Sequence, residues 1–190
     1  MGKLFTVALC NCERIFLRLL NERILFRGGA AYGDAYVDPQ RSMLFGNAVN
    51  RAYALESKVA VHPRIVIEDF IAETVNENIE TVKDKMIAHD PRYAAYLAAG
   101  LMLRMPETGD GIVEQDIDGN YVLNYLHSPE NNTIWPNYYL SCYDFLKELI
   151  EYCSEQIDLN KDYKVIDKYY YLRRFTEAKL ESLLELDSIL

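Results

Sequence analysis

Three glycines fall within seven residues in the segment Arg27-Gly28-Gly29-Ala30-Ala31-Tyr32-Gly33, directly after the apolar Ile24-Leu25-Phe26. A short apolar run studded with glycine reads as a strand, Ile24–Gly33, that lets another backbone or a ligand come close. Asp34–Val37 either continues that strand or pairs back as a hairpin, and Asp38-Pro39 is a turn signal. Gly46 then opens a helix that runs to Val59, with Val49, Ala52, Tyr53 and Leu55/Glu56 in register. Pro63 stops it. Arg64-Ile65-Val66-Ile67 follows as a compact β-branched strand.

The rest of the chain frames this segment. Before it, Cys12, Ile15, Phe16, Leu19 and Leu20 fall at helical spacing, with Glu13, Arg14, Arg18 and Asn21 elsewhere around the wheel. After it, Glu68–Ala88 reads as an acidic helix and Tyr93–Leu103 as a further one. Ile112–Gln115 and Tyr121–Tyr125 flank Asp116-Ile117-Asp118-Gly119-Asn120, a strong hairpin signal. Glu114, Asp116, Asp118 and Gly119 have the spacing of part of a calcium loop. The twelfth position is Tyr125, so the bidentate acid is missing and the turn accounts for the sequence. Two long helices close the chain. One carries Tyr139, Cys142, Tyr143, Leu146, Leu149, Ile150, Cys153 and Ile157, the other Val165, Tyr169, Leu172, Phe175, Leu180 and Leu183.

A chain of 190 residues, half of them hydrophobic and 26% charged, is a globular domain with room for a helical appendage. The division expected is 1–126 and 127–190. No apolar run is long enough to cross a bilayer and no signal-peptide core precedes Arg14 and Arg18, so the expected location is the cytoplasm, without membrane contact. Net charge is -9 and unevenly spread: residues 1–66 carry 9 basic and 5 acidic side chains, residues 67–190 carry 11 and 24. The whole should repel nucleic acid, while the first third could attract a small phosphorylated ligand. The four cysteines, Cys10, Cys12, Cys142 and Cys153, lack zinc-finger spacing and read as small apolar residues in a reducing compartment. His62, His89 and His127 show no metal-binding spacing.

The chemistry concentrates at residues 27–56. Glycine-rich backbone can bring N–H groups to a phosphate, and the helix opened by Gly46 favours anions at its start. Asn50, one turn in, can donate an amide to a ribose or phosphate oxygen, with Arg51 and Lys58 as nearby cations. Each feature also has a structural reading: the glycines as a tight connection, and Asn50 satisfying backbone groups near the helix start.

The stretch 27–67 resembles the second half of a class III nucleotidyl cyclase catalytic domain, which pairs a strand of type Arg-x-Gly-Ile/Ala-x-x-Gly with a helix of type Gly-x-x-Val-Asn-x-Ala-x-x-Leu-Glu. It is most similar to the bacterial pyrimidine (uridylate and cytidylate) cyclases of the Pycsar antiviral defence. The residues that carry the resemblance are Arg27-Gly28-Gly29 with Tyr32-Gly33, Phe45-Gly46-x-Ala-x-Asn50-x-Ala-Tyr-x-Leu-Glu56 and Pro63–Ile67. Asp116–Gly119, Asn124–Leu126 and Lys168–Leu172 match more weakly, in order. The similarity covers roughly residues 12–180.

That resemblance implies an α+β fold, a partial ferredoxin-like cyclase sheet with helices and a C-terminal helical extension. It implies conversion of a nucleoside triphosphate to a 3′,5′-cyclic monophosphate and pyrophosphate, by attack of the ribose 3′-oxygen on the α-phosphorus with two Mg²⁺ or Mn²⁺ ions. The site would lie between two subunits of a homodimer, or between this chain and a cyclase subunit. Asn50 would be catalytic; Arg27, Gly28, Gly29, Phe45, Gly46 and Arg51 would bind nucleotide; Met43 would lie beside the base.

Three departures qualify the expectation. The family's two metal-binding aspartates lie in a strand and hairpin ahead of the first helix, a segment missing from this sequence. The usual arginine, four residues after Asn50, is Ala54. The position that reads a purine, three before Gly46, is Met43, which has no donor or acceptor for a base. The expectations are therefore a cyclase that works only with a complementing subunit, or an inactive homologue acting as nucleotide-binding regulator or decoy. With the family's central strands missing, the Ile24–Gly33 strand would have an unpaired edge, to be covered by dimerisation or by a rearranged sheet.

Overall fold

The computed structural model describes residues 1–89, 111–126 and 138–187. The chain divides into two compact units, Met1–His127 and Ser128–Leu190. The described elements are α+β: five helices, a mixed four-stranded sheet and a two-stranded sheet. None of the described helices is long and apolar enough to cross a membrane. The expected helix at Tyr93–Leu103, and His127, lie outside the described residues, as do the side chains of His89 and Cys142.

In the first unit, α1 (Gly2–Asn21) buries Leu9, Glu13, Phe16, Leu17 and Leu20. The stripe expected from spacing is rotated by about one position: Phe16 and Leu20 are buried, but Ile15 is 57% exposed. Phe16 sets that phase, because its ring stacks on Tyr125 at 4.2 Å and meets Phe26 edge-on at 5.5 Å. Gly2 fits against Thr74 and Asn78 of α3 (Asp69–His89), and Ile71, Ala72, Val75 and Ile79 give that helix its buried face.

The sheet has the strand order β1 (Gly28–Ala30), β4 (Ile65–Ile67), β6 (Tyr121–Leu123), β5 (Val113–Gln115). β1 and β4 run parallel, Gly28 opposite Ile65; the other pairings are antiparallel. β4 lies inside the sheet and all three of its residues are buried, as expected of a β-branched central strand. β1 is an edge strand and shorter than Ile24–Gly33. Its ladder bonds end where the Glu68 N–H donates to the Ala30 carbonyl at 2.9 Å. β5 and β6 form the hairpin predicted around Asp116–Asn120.

β2 (Tyr36–Asp38) and β3 (Met43–Phe45) form a separate antiparallel ribbon, Tyr36 opposite Phe45. Asp38 builds its turn by accepting the Gln40 and Arg41 N–H groups at 3.0 and 3.1 Å. The second predicted helix is present as α2 (Asn47–Ala54), continued by a π-helical turn, Leu55–Val59. That turn carries Leu55 and Val59 onto the cluster of Ala60, Val66 and Val122.

In the second unit, α4 (Tyr138–Leu159) and α5 (Tyr163–Asp187) pack together, as the two apolar stripes predict. Phe145, Leu146, Leu149 and Cys153 of α4 are buried, as are Leu172 and Thr176 of α5. Tyr152 meets Tyr169 edge-on at 5.9 Å.

Candidate functional site

Two glycines fix the strand–ribbon–helix segment. A β-carbon on Gly29 would overlap the Ala52 carbonyl oxygen and lie 2.7 Å from the Leu55 β-carbon, so β1 admits the backbone of α2 at this point. Of the two visitors a glycine strand could admit, the nearest here is a backbone of the same chain. Gly46 has φ of +145°, in the region that favours glycine. A β-carbon there would also strike the Asp34 carbonyl oxygen. Gly28 serves the opposite face of the sheet, where Ile65 and Phe26 lie in ordinary contact.

Ala48 is buried and the Ala52 carbonyl lies against β1. Asn50, two residues from each, is about 200° away around the helix and exposed. Its backbone N–H donates to the Gly46 carbonyl at 3.0 Å, and its side-chain amide faces away from the glycine strand. Gly28, Gly29 and Asn50 thus occupy three different faces of the segment. Phe45 and Met43 are exposed on the ribbon, where Phe45 stacks on Tyr36 at 4.8 Å.

Arg27 and Arg51 come with carboxylate partners. Arg27 Nε lies 2.6 Å from Glu56 Oε1, both partly exposed. Arg51 Nε donates to Glu68 Oε1 at 2.5 Å, and its Nη2 donates to Glu68 Oε2 at 3.4 Å and to the Tyr32 carbonyl. The Tyr32 N–H donates to Glu68 Oε2 at 3.1 Å. Burial alone would raise the Glu68 carboxyl. The Arg51 hydrogen bond, the Tyr32 N–H and the Arg51 charge outweigh it and hold the carboxyl below its ordinary range.

Sequence reasoning singled out Arg51 but missed Glu68 and Tyr32. Their only sequence signal is position, Tyr32 beside Gly33 and Glu68 at the exit of the buried strand Ile65–Ile67. It also missed Arg64, which is buried and holds Asp116 and Asp118.

A two-cation centre needs several carboxylates converging on one point. Among the described residues, no three His, Cys, Asp or Glu side chains do so. Asp38 caps a turn, Glu56 and Glu68 hold arginines, and Asp116 and Asp118 hold Arg64. The described residues therefore do not fit Mg²⁺ or Mn²⁺. No protein-family model, curated protein or solved structure matches the chain.

Proposed function

We propose that this protein is a nucleotidyl-cyclase-like, nucleotide-binding protein that forms one half of a composite site. It would take part in cyclisation of a nucleoside triphosphate only when a complementing chain supplies the cation-binding carboxylates. The finer fold reading, a partial ferredoxin-like cyclase sheet, belongs to the same proposal. The observation that carries it is the outward amide of Asn50, presented by a strand, ribbon and helix in the order of the resemblance. Gly29 and Gly46 stand in that segment where a side chain would not fit.

Pairing with a second copy has its own support. Tyr36, Val37, Met43, Leu44 and Phe45 are all exposed on a ribbon whose only charge between its paired residues is Asp38. Cross-strand partners share a face, so Tyr36, Phe45 and Met43 line one side of the ribbon and Val37 and Leu44 the other.

A second reading, binding without turnover as a regulator or decoy, is favoured by the ion pairs that engage Arg27 and Arg51. Incubating the protein with each of the four ribonucleoside triphosphates and Mn²⁺, together with a cyclase chain that keeps its metal-binding aspartates but has its own catalytic asparagine replaced, separates the two. A cyclic product abolished by Asn50→Ala supports turnover. Binding without product supports the regulator, and no binding refutes both.

A further inference from the structure

The Glu68 carboxylate sits where three N–H donors converge: Arg51 Nε at 2.5 Å, Arg51 Nη2 at 3.4 Å and the Tyr32 backbone N–H at 3.1 Å. A guanidinium edge with a neighbouring main-chain N–H matches the oxygens of a phosphoryl group as well as those of a carboxylate. The Tyr32 carbonyl also binds Arg51, which fixes the guanidinium against the turn. Gly33 keeps that turn open, since a β-carbon there would lie 3.2 Å from Arg51 Nη2.

The occupant is attached loosely. The Glu68 backbone is anchored by its N–H to the Ala30 carbonyl, so the side chain can leave without moving β4 or α3. Its pair with Arg51 is partly exposed, at 48% and 25% side-chain accessibility, and ion pairs in such positions are weak. An aromatic ledge adjoins the cradle. The Tyr32 ring stacks on Phe70 at 5.7 Å and meets Phe5 edge-on at 5.1 Å, with Tyr32 and Phe70 both exposed.

We propose that Glu68 is a built-in competitor: its carboxylate fills an anion cradle formed by Arg51 and the Tyr32 N–H, and a phosphoryl group of the nucleotide takes that place when the side chain swings out. This rests on the nucleotide-binding reading and adds to it a specific phosphoryl subsite and its gate. Glu68→Gln removes the competing charge and leaves a side chain of the same shape. Glu68→Ala removes both charge and bulk.

The test is calorimetric titration of the full chain with inorganic pyrophosphate, folding being checked by thermal melting. Glu68→Gln and Glu68→Ala are expected to bind pyrophosphate at least tenfold more tightly than the wild type. Adding Arg51→Met should abolish the gain. Glu73→Gln, the same charge change on the exposed side of α3, should leave affinity unchanged. In the wild type, pyrophosphate should shift the Tyr32 amide resonance, which tests the cradle without any variant. Equal binding by the wild type and both Glu68 variants overturns the proposal, as does a gain that survives loss of Arg51. If a nucleoside triphosphate binds but the gain fails, the cradle is wrong and the nucleotide reading stands. If the gain appears but no nucleoside triphosphate binds, the cradle stands and the nucleotide reading falls.

Discussion

Arg64, only 3% exposed, joins two elements far apart in sequence: its Nη1 lies 2.5 Å from Asp116 and its Nη2 lies 2.6 Å from Asp118. Nη2 also donates to the Val59 carbonyl at 3.0 Å. One guanidinium thus ties the entry to β4, the end of the π-helical turn and the β5–β6 turn. Arg64→Met removes the guanidinium that pairs with Asp116, whose side chain is 10% exposed. Losing one partner of a buried ion pair costs about 3–5 kcal/mol. Urea unfolding should show a loss of that order, and a loss below about 1 kcal/mol would mean the pairs are not formed.

Asp118 makes stability depend on acid. The Arg64 hydrogen bond comes first among the causes that lower its pKa from the ordinary 3.8 to about 2, against the opposing effect of burial. A carboxyl with a depressed pKa contributes stability above its unfolded value, and loses it as pH falls through the folded one. That contribution should be complete above about pH 4 and fade towards pH 2. Asp118→Asn should be less stable than the wild type at pH 5, and the difference should shrink by pH 2 in paired urea titrations. A constant difference would contradict the assignment.

Gly29→Ala forces a methyl group against the Ala52 carbonyl, and Gly46→Ala adds a clash with the Asp34 carbonyl at a positive φ. Overpacking of this kind costs about 1–3 kcal/mol. Each variant should melt several degrees below the wild type, and Gly28→Ala, in ordinary contact, should melt close to it.

The apolar ribbon predicts self-association. Val37→Lys and Leu44→Glu put charges on two exposed positions, so neither should lower the melting temperature of the isolated chain. Sedimentation velocity should show a dimer for the wild type and a monomer for each variant. A wild-type monomer at high concentration would refute the pairing.

Local chemistry made much of this fold legible in the sequence. Asp38-Pro39 and Asp116–Asn120 predicted both turns, Gly46 the start of α2, and the β-branched run Arg64–Ile67 a compact strand. The phase of α1 was not legible, because it depends on the stacking of Phe16 with Tyr125. The length of β1 was not legible either. Beyond Ala30 its neighbour in the sheet has ended, and the Tyr32 backbone is held by the side chains of Arg51 and Glu68. Glu68 pairs across 17 residues and Asp116 across 52, separations at which one sequence carries no pairing signal. The glycines were the ambiguous case. Their pattern announced a close approach, and in the fold the Ala52 carbonyl makes it at Gly29.

Calorimetric titration of the four ribonucleoside triphosphates into the full chain and into Asn50→Ala is the most direct test of the proposed role. The account predicts that the wild type binds at least one of them in the micromolar range and that Asn50→Ala binds it at least tenfold more weakly, a loss of about 1.4 kcal/mol. Failure of the wild type to bind any of the four, or equal binding by the variant, would contradict it.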